Sequence, residues 1–295
     1  MKFRMVEELA LEQQDVARCC MELKVSRSGY YEWLVRPQSQ RKTENQKLAE
    51  EIKLHWETSR KRYGLPRILN ELRKTRPKLG KNRVARIMRE GGIQGVGKKK
   101  FKPQTTDSKH ELPIADRVFK AEIAAEQVTK PNQFWGGDIT YIATEEGWLY
   151  LAIVLDLFTR KVVGHSMDES MKSELILDAL GMALKRQDPL EVAQLTAHSD
   201  RGTQYASDAY RERLALLKIT ASMSRKGNCY DNAFVESFFR TLKVEIVYRT
   251  KFKTREEAKA AIFEFIEVWY NRQRTHSSLA YATPVEYETK ALKSA

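Results

Sequence analysis

Cysteine is scarce in this sequence, and this scarcity excludes some classes of protein. The chain has only Cys19, Cys20 and Cys229, contains no CxxC pair, and has five histidines without zinc-finger spacing. These features argue against a disulfide framework and against a structural zinc site. So little cysteine fits a protein of the reducing cytoplasm.

Long apolar runs are also missing. The longest run, Trp148 to Leu155, is eight residues, whereas a membrane-spanning helix needs about 20. The N-terminal MKFRMVEELALEQ carries acidic residues where a signal peptide is apolar. We therefore expect a cytoplasmic protein with no membrane partner.

Basic residues outnumber acidic residues in one half of the chain only. Residues 1–133 contain 30 Lys and Arg against 17 Asp and Glu, whereas residues 134–295 contain 22 of each. Within residues 53–102 the ratio is 17 to 3. Such an asymmetry is typical of a polyanion-binding module joined to a neutral domain, and the alternative is a basic surface that serves solubility alone.

The basic half has a helical pattern. Residues 1–45 read as helix, break and helix, with Ser26 as a candidate N-cap and a weak helix-turn-helix pattern. Residues 46–97 repeat the pattern more strongly, and their last helix has arginines at three-residue spacing, which suit contact with DNA or, alternatively, form a solvated face. These are Arg83, Arg86 and Arg89.

A polar segment separates the basic half from the rest of the chain. Residues 98–131 have little apolar periodicity and read as a linker. The segment begins with the lysine tract Lys98, Lys99 and Lys100, which we predict to lie along nucleic acid phosphates.

From residue 132 the pattern changes to strands. Three consecutive strands are predicted, followed by helix, strand, helix and strand, and then by a helix that contains Glu236. This order predicts a mixed α/β sheet spanning residues 132–250, with a helical extension over residues 251–295. The predicted fold class is therefore α/β, preceded by an all-α DNA-binding region.

Three acids fall at informative points of this layout. Asp138 lies on the first strand, Asp200 at the C-terminal end of the fourth, where open α/β sheets place ligands, and Glu236 near the start of the following helix. Three converging carboxylates repel one another unless a cation joins them, and hard ions such as Mg²⁺ prefer oxygen ligands. Two such ions about 3.5–4 Å apart can hold the attacking and leaving oxygens of a phosphoryl displacement.

The helix of Glu236 also carries two cations. Arg240 and Lys243 follow Glu236 at i+4 and i+7, on the same helical face, whereas the aromatics at 234 and 238 lie about 200° away and can pack on the sheet. An acid followed by two cations suits a metal-bound DNA strand, and a surface ion pair is the alternative.

Several long motifs, in order, resemble those of a known family. Thirty-five residues separate Asp200 from Glu236, and the segments are WGGDITYI, GWLYLAIVLDLFTRKVVGHSM, HSDRGTQY, SRKGNCYDNAFVESFFRTLKVE and WYNRQRTHSSLAYATPVEY. They resemble bacterial insertion-sequence transposases, the orfB-type proteins of the IS3 family, whose core is a retroviral-integrase-like DDE domain of ribonuclease H-like fold. RYGLPRILNEL and NRVARIMREGGIQG are similar to the helix-turn-helix module that precedes that core.

The resemblance implies a function and its residues. Asp138, Asp200 and Glu236 would be catalytic ligands of Mg²⁺ or Mn²⁺, with two ions per site, and Lys243 would contact the end of the element. The enzyme would cleave the element's ends to give a 3′-OH and join that 3′-OH to DNA, without a covalent protein–DNA intermediate. Double-stranded DNA and further copies of the chain would be its partners, in the bacterial nucleoid.

Two departures from the family pattern affect this expectation. Gly136 and Gly137 precede the aspartate where a bulkier residue is expected, which predicts a looser strand. Members of the family usually carry an upstream helix-turn-helix and leucine zipper, and this chain has no sustained heptad repeat. The chain is then either a downstream product or a member that works without the addition.

The sequence leaves two or more roles open for several other residues. Asp156 is a second candidate for the first ligand, but its position at a hairpin turn favours hydrogen bonding. His198 is a general base, a residue that supports the metal ligands, or a structural histidine. Gly202 either lets DNA approach the backbone closely or forms a turn. Asn228, Asp231 and Asn232 suit helix capping, as do Thr254 and Glu257. Arg272, Arg274 and His276 either bind phosphate or close the core.

Two rival functions remain. A metal-dependent nuclease on the same fold would cut DNA without joining strands, and a non-catalytic regulator of the element would bind DNA without needing three placed acids. A retroviral-type integrase is disfavoured because its HHCC zinc module is missing.

Overall fold

The computed structural model describes residues 1–12, 14–97, 112–187, 194–225 and 232–294. Its first helices form a small unit of their own: α1 (Lys2–Leu11), α2 (Val16–Glu22) and α3 (Arg27–Val35). Val6, Cys19, Cys20 and Tyr30 are its buried residues. Ser26 caps α3 as predicted, since its hydroxyl accepts a hydrogen bond from the Gly29 amide at 3.0 Å.

The basic segment forms three further helices: α4 (Gln40–Thr58), α5 (Leu65–Thr75) and α6 (Lys81–Glu90). Each buries one apolar stripe, and Val84, Ile87 and Met88 are buried on α6. The segment after α5 contains Pro77, and Gly91 is the C-cap of α6, so both helices stop where the sequence predicts.

A five-stranded sheet, in the order β3-β2-β1-β4-β5, organises the second half. The strands are β1 (Phe134–Thr144), β2 (Gly147–Asp156), β3 (Val162–Asp168), β4 (Thr196–Ser199) and β5 (Thr220–Met223). The first three are antiparallel neighbours, whereas β4 runs parallel to β1 and β5 parallel to β4. This is the mixed sheet that the order of predicted elements indicated.

Helices cover both faces of the sheet. The remaining α-helices are α7 (Ala124–Gln127), α8 (Ser173–Lys185), α9 (Asp208–Leu216), α10 (Ala233–Glu245), α11 (Arg255–Glu264) and α12 (Pro284–Ser294). Helices α8 and α9 pack with Trp135 and Val154 on one face, and α10 and α11 pack with Phe134 and Ile153 on the other. The alternation of strand residues between the two clusters follows the period of two of a β-strand.

Shorter helical segments complete the second half. Short 3₁₀ turns lie at Ala121–Ile123, Val247–Arg249 and Ser277–Leu279. Helix α11 continues as a π-helix, Phe265–Tyr270. At the start of α11 the Thr254 hydroxyl accepts from the Glu257 amide at 3.1 Å, as the predicted capping box requires.

The basic helices pack directly against the sheet domain. Residues of α4, α5 and α6 belong to the same buried cluster as α10 and α11. The Tyr63 hydroxyl accepts from the Thr275 amide at 2.9 Å, and Arg67 donates to the Thr275 carbonyl at 3.0 Å. Arg60 forms a two-pronged ion pair with Glu264. The helical region is thus anchored to the C-terminal extension of the core.

No helix among the described residues is long and apolar enough to span a bilayer.

Candidate active site

The sheet brings the first two predicted acids together. Asp138 lies on the central strand β1, and Ser199, the last residue of β4, pairs with Gly137 in the parallel register. Asp200 follows Ser199 directly, so it leaves the sheet beside Asp138. Both carboxylates therefore lie at the C-terminal end of β4, where open sheets bind ligands.

Helix α10 runs alongside β1 and in the same direction. Its start touches Gly136, and its end reaches Tyr141, whose ring centroid is 4.9 Å from Nζ of Lys243. Eleven residues of helix from 232 to 243 and five residues of strand from 136 to 141 both span about 16 Å. Glu236, four residues into this stretch of helix, is consequently level with Asp138.

Gly136 explains how the helix comes so close. A Cβ at this position would lie 2.8 Å from Cγ2 of Val235 and 3.0 Å from Cδ2 of Leu157, so any larger residue would push α10 away from the strand. A Cβ at Gly137 would likewise lie 3.1 Å from the ring of Tyr205 on the opposite face. The two glycines therefore serve close packing on both faces, and the predicted loosening of the strand is wrong.

The electrostatics of the acids follow from this geometry. Burial and repulsion from Asp200 raise the pKa of Asp138 well above its ordinary value, with a smaller contribution from Glu236. The Ile139 amide, which donates to Asp138 Oδ1 at 2.8 Å, and Lys243 act in the opposite direction. Desolvation also raises the pKa of Glu236, against the attraction of Arg240. A cation beside these acids would favour the ionised form of Asp138.

The three acids do not converge into a closed cage. Among the residues that the structure describes, no three Asp, Glu, His or Cys side chains lie close enough to enclose a metal ion. The donor set nevertheless fits a hard divalent cation, because it consists of carboxylates, two at the sheet and one on the helix. Burial, and after it the like-charged neighbours, raise the pKa of Asp138, and a bound cation would offset both effects.

The loop after Asp200 holds that side chain by its own backbone. The Gly202 amide donates to Asp200 Oδ1 at 2.9 Å, and a Cβ on Gly202 would lie 3.0 Å from the same oxygen. A side chain at position 202 would crowd this oxygen, so glycine suits the turn. The turn interpretation of Gly202 is supported, whereas its contact with DNA stays a prediction.

Asp156 is fully engaged in structural hydrogen bonds. Its Oδ1 accepts from the Phe158 amide and from both the amide and the hydroxyl of Thr159, at 2.6–3.0 Å, and its Oδ2 accepts from the Asn132 amide at 2.7 Å. The side chain is 1% exposed. These bonds support the structural role that the hairpin position indicated.

His198 is also buried. Its Nδ1 lies 2.9 Å from the Ser222 hydroxyl, which in turn accepts from the amides of Val118 and Phe119. His198 thereby joins β4 to β5 and to the segment that precedes the sheet, as a structural histidine does.

Comparison with known proteins agrees with this arrangement. Residues 128–229 and 236–292 match two models of the integrase core domain, and residues 43–101 match an HTH-like domain. The chain is 40% identical over 295 residues to transposase InsF for insertion sequence IS3A of Escherichia coli (strain K12), covering 99% of this chain and 100% of the relative. The chain belongs to the IS3 transposase family.

One further relative and one solved structure are also similar to this chain. This IS3-family chain is 44% identical over 271 residues to the insertion element IS600 uncharacterized 31 kDa protein of Shigella sonnei, covering 92% of this chain and 97% of the relative. Among solved structures it is similar to the HTLV-2 integrase catalytic core domain in complex with magnesium, at 16% identity and a TM-score of 0.40, covering 54% of this chain and 97% of that chain.

The candidate DNA-binding residues of the transposase differ in their surroundings. Arg240 is exposed and Lys243 half-buried on the helix of Glu236. On α6, Arg83 contacts Asn45 and Glu44 at 2.8 and 3.1 Å and Arg86 pairs with Glu90 at 3.0 Å. Arg89 is exposed near the end of the same helix. The lysines at 98–100 lie outside the described residues.

The C-terminal candidates separate into two kinds. Arg274 is 7% exposed and donates to Glu245 at 2.9 Å, and Glu245 also accepts from the Trp269 indole at 2.9 Å. Burial, with Arg274, Arg67 and Arg160 nearby, lowers the pKa of His276 to about 2, so this histidine is neutral at physiological pH. Arg274 therefore closes the core, whereas His276 is only partly buried and Arg272 is exposed.

Sequence reasoning missed two residues beside the acids. Tyr141, three residues after Asp138, contacts Lys243, and Asn232, predicted as a cap, makes no capping hydrogen bond. Both positions carry a signal in retrospect: Tyr141 follows Asp138 within one strand, and Asn232 precedes Glu236 by one helical turn.

Proposed function

We propose that this transposase cleaves the ends of its insertion sequence and joins the resulting 3′-OH to DNA, with Asp138, Asp200 and Glu236 as metal ligands. The observation that carries this proposal is the alignment of α10 along β1. It sets Glu236 level with Asp138, and the pairing of β4 with β1 sets Asp200 beside Asp138.

The chemistry would be phosphoryl transfer assisted by divalent metal. Two ions, Mg²⁺ or Mn²⁺, would neutralise the three acids and stabilise the attacking and leaving oxygens of the displacement. The acids differ in stiffness: Asp138 and Asp200 are held by the sheet and by backbone amides, whereas Glu236 is exposed on its helix. Glu236 can therefore adjust as DNA enters.

Cations on α10 would bind the DNA strand. Lys243 and Arg240 lie on the same side of α10 as Glu236, so phosphates following the scissile one would meet them in order. The exposed Arg86 and Arg89 of α6, with the lysines at 98–100, would add affinity that does not depend on DNA sequence. Double-stranded DNA is accordingly the proposed partner of both halves.

Joining two ends requires at least two catalytic cores in one complex, so the active species is proposed to be a dimer or larger assembly on paired ends. Sedimentation of synapsed, active ends with one protein per pair would contradict this. The cytoplasm is the proposed location, because the DNA of a bacterial element lies there.

One assay separates this function from its rivals. Protein, Mg²⁺, a labelled duplex carrying the element end and a supercoiled plasmid are incubated together. Labelled plasmid is the expected product, because joining transfers the end to new DNA. Cut but unjoined ends would identify a nuclease, and binding without metal-dependent cutting would identify a regulator.

A further inference from the structure

Asn232 occupies a capping position without capping its helix. It is the N-cap residue of α10, and asparagine is among the preferred residues there because its side chain normally accepts from the second or third helical amide. Here its backbone has φ −104° and ψ 14°, not the extended conformation that capping requires, and its side chain makes no such bond. The side-chain amide of Asn232 therefore does not cap the helix that follows it.

The side chain is buried with an unmet acceptor. Asn232 is 6% exposed, and its Oδ1 has no hydrogen-bond partner in the part of the chain that the structure describes. A buried acceptor without a donor costs free energy, so such atoms are rare in folded proteins and each one needs an explanation. The missing partner must be a hydrogen-bond donor.

The position of this acceptor points to the reaction centre. Oδ1 of Asn232 lies 3.9 Å from the Cβ position of Gly136, on the face of β1 that Gly136 shares with Asp138. Asp138 is two residues further along the strand, so its Cα is about 7 Å from that of Gly136. Glu236 is four residues further along α10, on the same helical face as Asn232. The acceptor therefore lies at the end of the row that contains both acids.

We propose that Oδ1 of Asn232 accepts a hydrogen bond from the attacking hydroxyl group of the transposition reaction. This inference rests on the proposed function and adds a nucleophile-positioning residue to it. The two successive nucleophiles, water in cleavage and the 3′-OH of DNA in joining, share an O–H donor, which is what the unmet acceptor lacks.

The hydrogen bond fixes the direction of attack without moving a proton to the amide. In each step the hydroxyl oxygen forms a bond to phosphorus, the bond from phosphorus to the 3′-oxygen of the broken strand is lost, and that oxygen leaves as a new 3′-OH. The proton of the nucleophile passes to water, and the leaving 3′-oxygen takes a proton from water. Asn232, which is neutral before and after, orients the oxygen lone pair toward phosphorus.

Asn232→Leu is the informative variant, because leucine has nearly the same shape but no acceptor. Removing an unmet acceptor relieves a cost, so thermal stability without metal or DNA is expected to be unchanged or higher. The single-turnover rates of cleavage and of joining of a precleaved end should both fall, by about 100-fold, as for a misplaced reactant. End binding and the Mg²⁺ concentration for half-maximal rate should not change.

Asn271 is the matched control. It is 2% exposed, but its Oδ1 accepts from the Val162 amide and its Nδ2 donates to the Val162 carbonyl, both at 3.0 Å. Asn271→Leu should therefore lower thermal stability, the opposite of the result expected at position 232. Asn232→Asp, which keeps an acceptor at the same place, should retain more of the rate than Asn232→Leu at saturating Mg²⁺.

The outcomes are separable. If Asn232→Leu destabilises the protein as Asn271→Leu does, or if it joins ends at the wild-type rate, the inference about Asn232 is overturned while the proposed function stands. If it shifts the Mg²⁺ dependence and not the saturated rate, Asn232 acts on the metal and the inference is also overturned. If the wild-type protein forms no joined product, the proposed function itself fails.

Discussion

The ammonium nitrogen of Lys243 lies 4.9 Å from the centroid of the Tyr141 ring. Tyr141 is three residues after Asp138 on β1, and Lys243 is seven residues after Glu236 on α10, so this contact ties together the two elements that carry acids. Attraction between the ring and the cation holds a long, flexible side chain beside the reaction centre. Desolvation lowers the pKa of Lys243, and Asp138 counteracts this effect.

We predict that Tyr141 positions Lys243 for DNA through this contact. Tyr141→Leu should weaken binding of an element-end duplex about two- to fivefold, the equivalent of a cation–π contact of about 0.5–1 kcal/mol. Tyr141→Phe, which keeps the ring, should bind as the wild type does. Equal affinities of the Leu and Phe variants, measured by fluorescence anisotropy, would show that the ring has no such role.

The carboxylate of Asp138, which the proposed reaction needs, should lower the stability of the metal-free protein at neutral pH. Its pKa is raised in the folded state, so folding is favoured while the group is protonated, and that stability is lost as pH rises through the folded pKa. Asp138→Asn should therefore be more stable than wild type at neutral pH without metal, and less dependent on pH above the ordinary aspartate pKa. Mg²⁺ should raise the melting temperature of the wild type more than that of the variant. A variant that melts below wild type in metal-free buffer would contradict this prediction.

The ion pair of Arg274 and Glu245 should be structural. Both side chains are less than a tenth exposed, and Glu245 also holds the Trp269 indole. Arg274→Met leaves a buried carboxylate without its partner, which is expected to cost about 3–5 kcal/mol of unfolding free energy. Arg272→Ala, at an exposed position two residues away, should change it by less than about 0.5 kcal/mol. Urea denaturation of the two variants tests the contrast, and equal midpoints would refute it.

Much of this layout could be predicted from the sequence, because the signals are local. Strand-like segments joined by tight turns predicted β1 to β3, and the hairpin position of Asp156 predicted its hydrogen bonds. Asp200 and Glu236 could be selected because strand ends and helix starts recur at known places in α/β sheets, and Asp138 because it lies in a motif that resembles the family.

Other features depend on contacts between distant segments. Tyr63 meets Thr275 across 212 residues, and Arg274 meets Glu245 across 29, which no local period encodes. The role of Gly136 requires knowing that α10 crosses it, and the displaced side chain of Asn232 contradicts a reliable capping preference. Such departures from local rules are expected at functional sites.

The exposed arginines of α6 should contribute charge to DNA binding. Each phosphate contact that is lost should reduce the slope of log affinity against log salt by about 0.9. Arg89→Ala should flatten this slope across unrelated sequences, and Arg86→Ala less so, because Arg86 is paired with Glu90. Arg213→Ala, an exposed arginine on α9, serves as the control. An unchanged slope for Arg89→Ala would exclude α6 from the DNA interface.

The most direct test of the account is the joining of a precleaved element end by single amide variants in Mg²⁺. Asp138→Asn, Asp200→Asn and Glu236→Gln keep size but remove the charge that holds a divalent ion, so each should bind the end and form no joined product. Asp156→Asn should lose stability but join ends in whatever fraction stays folded, as judged by circular dichroism. A folded Asp156→Asn without activity, together with an Asp138→Asn that still joins ends, would contradict the assignment of the metal ligands.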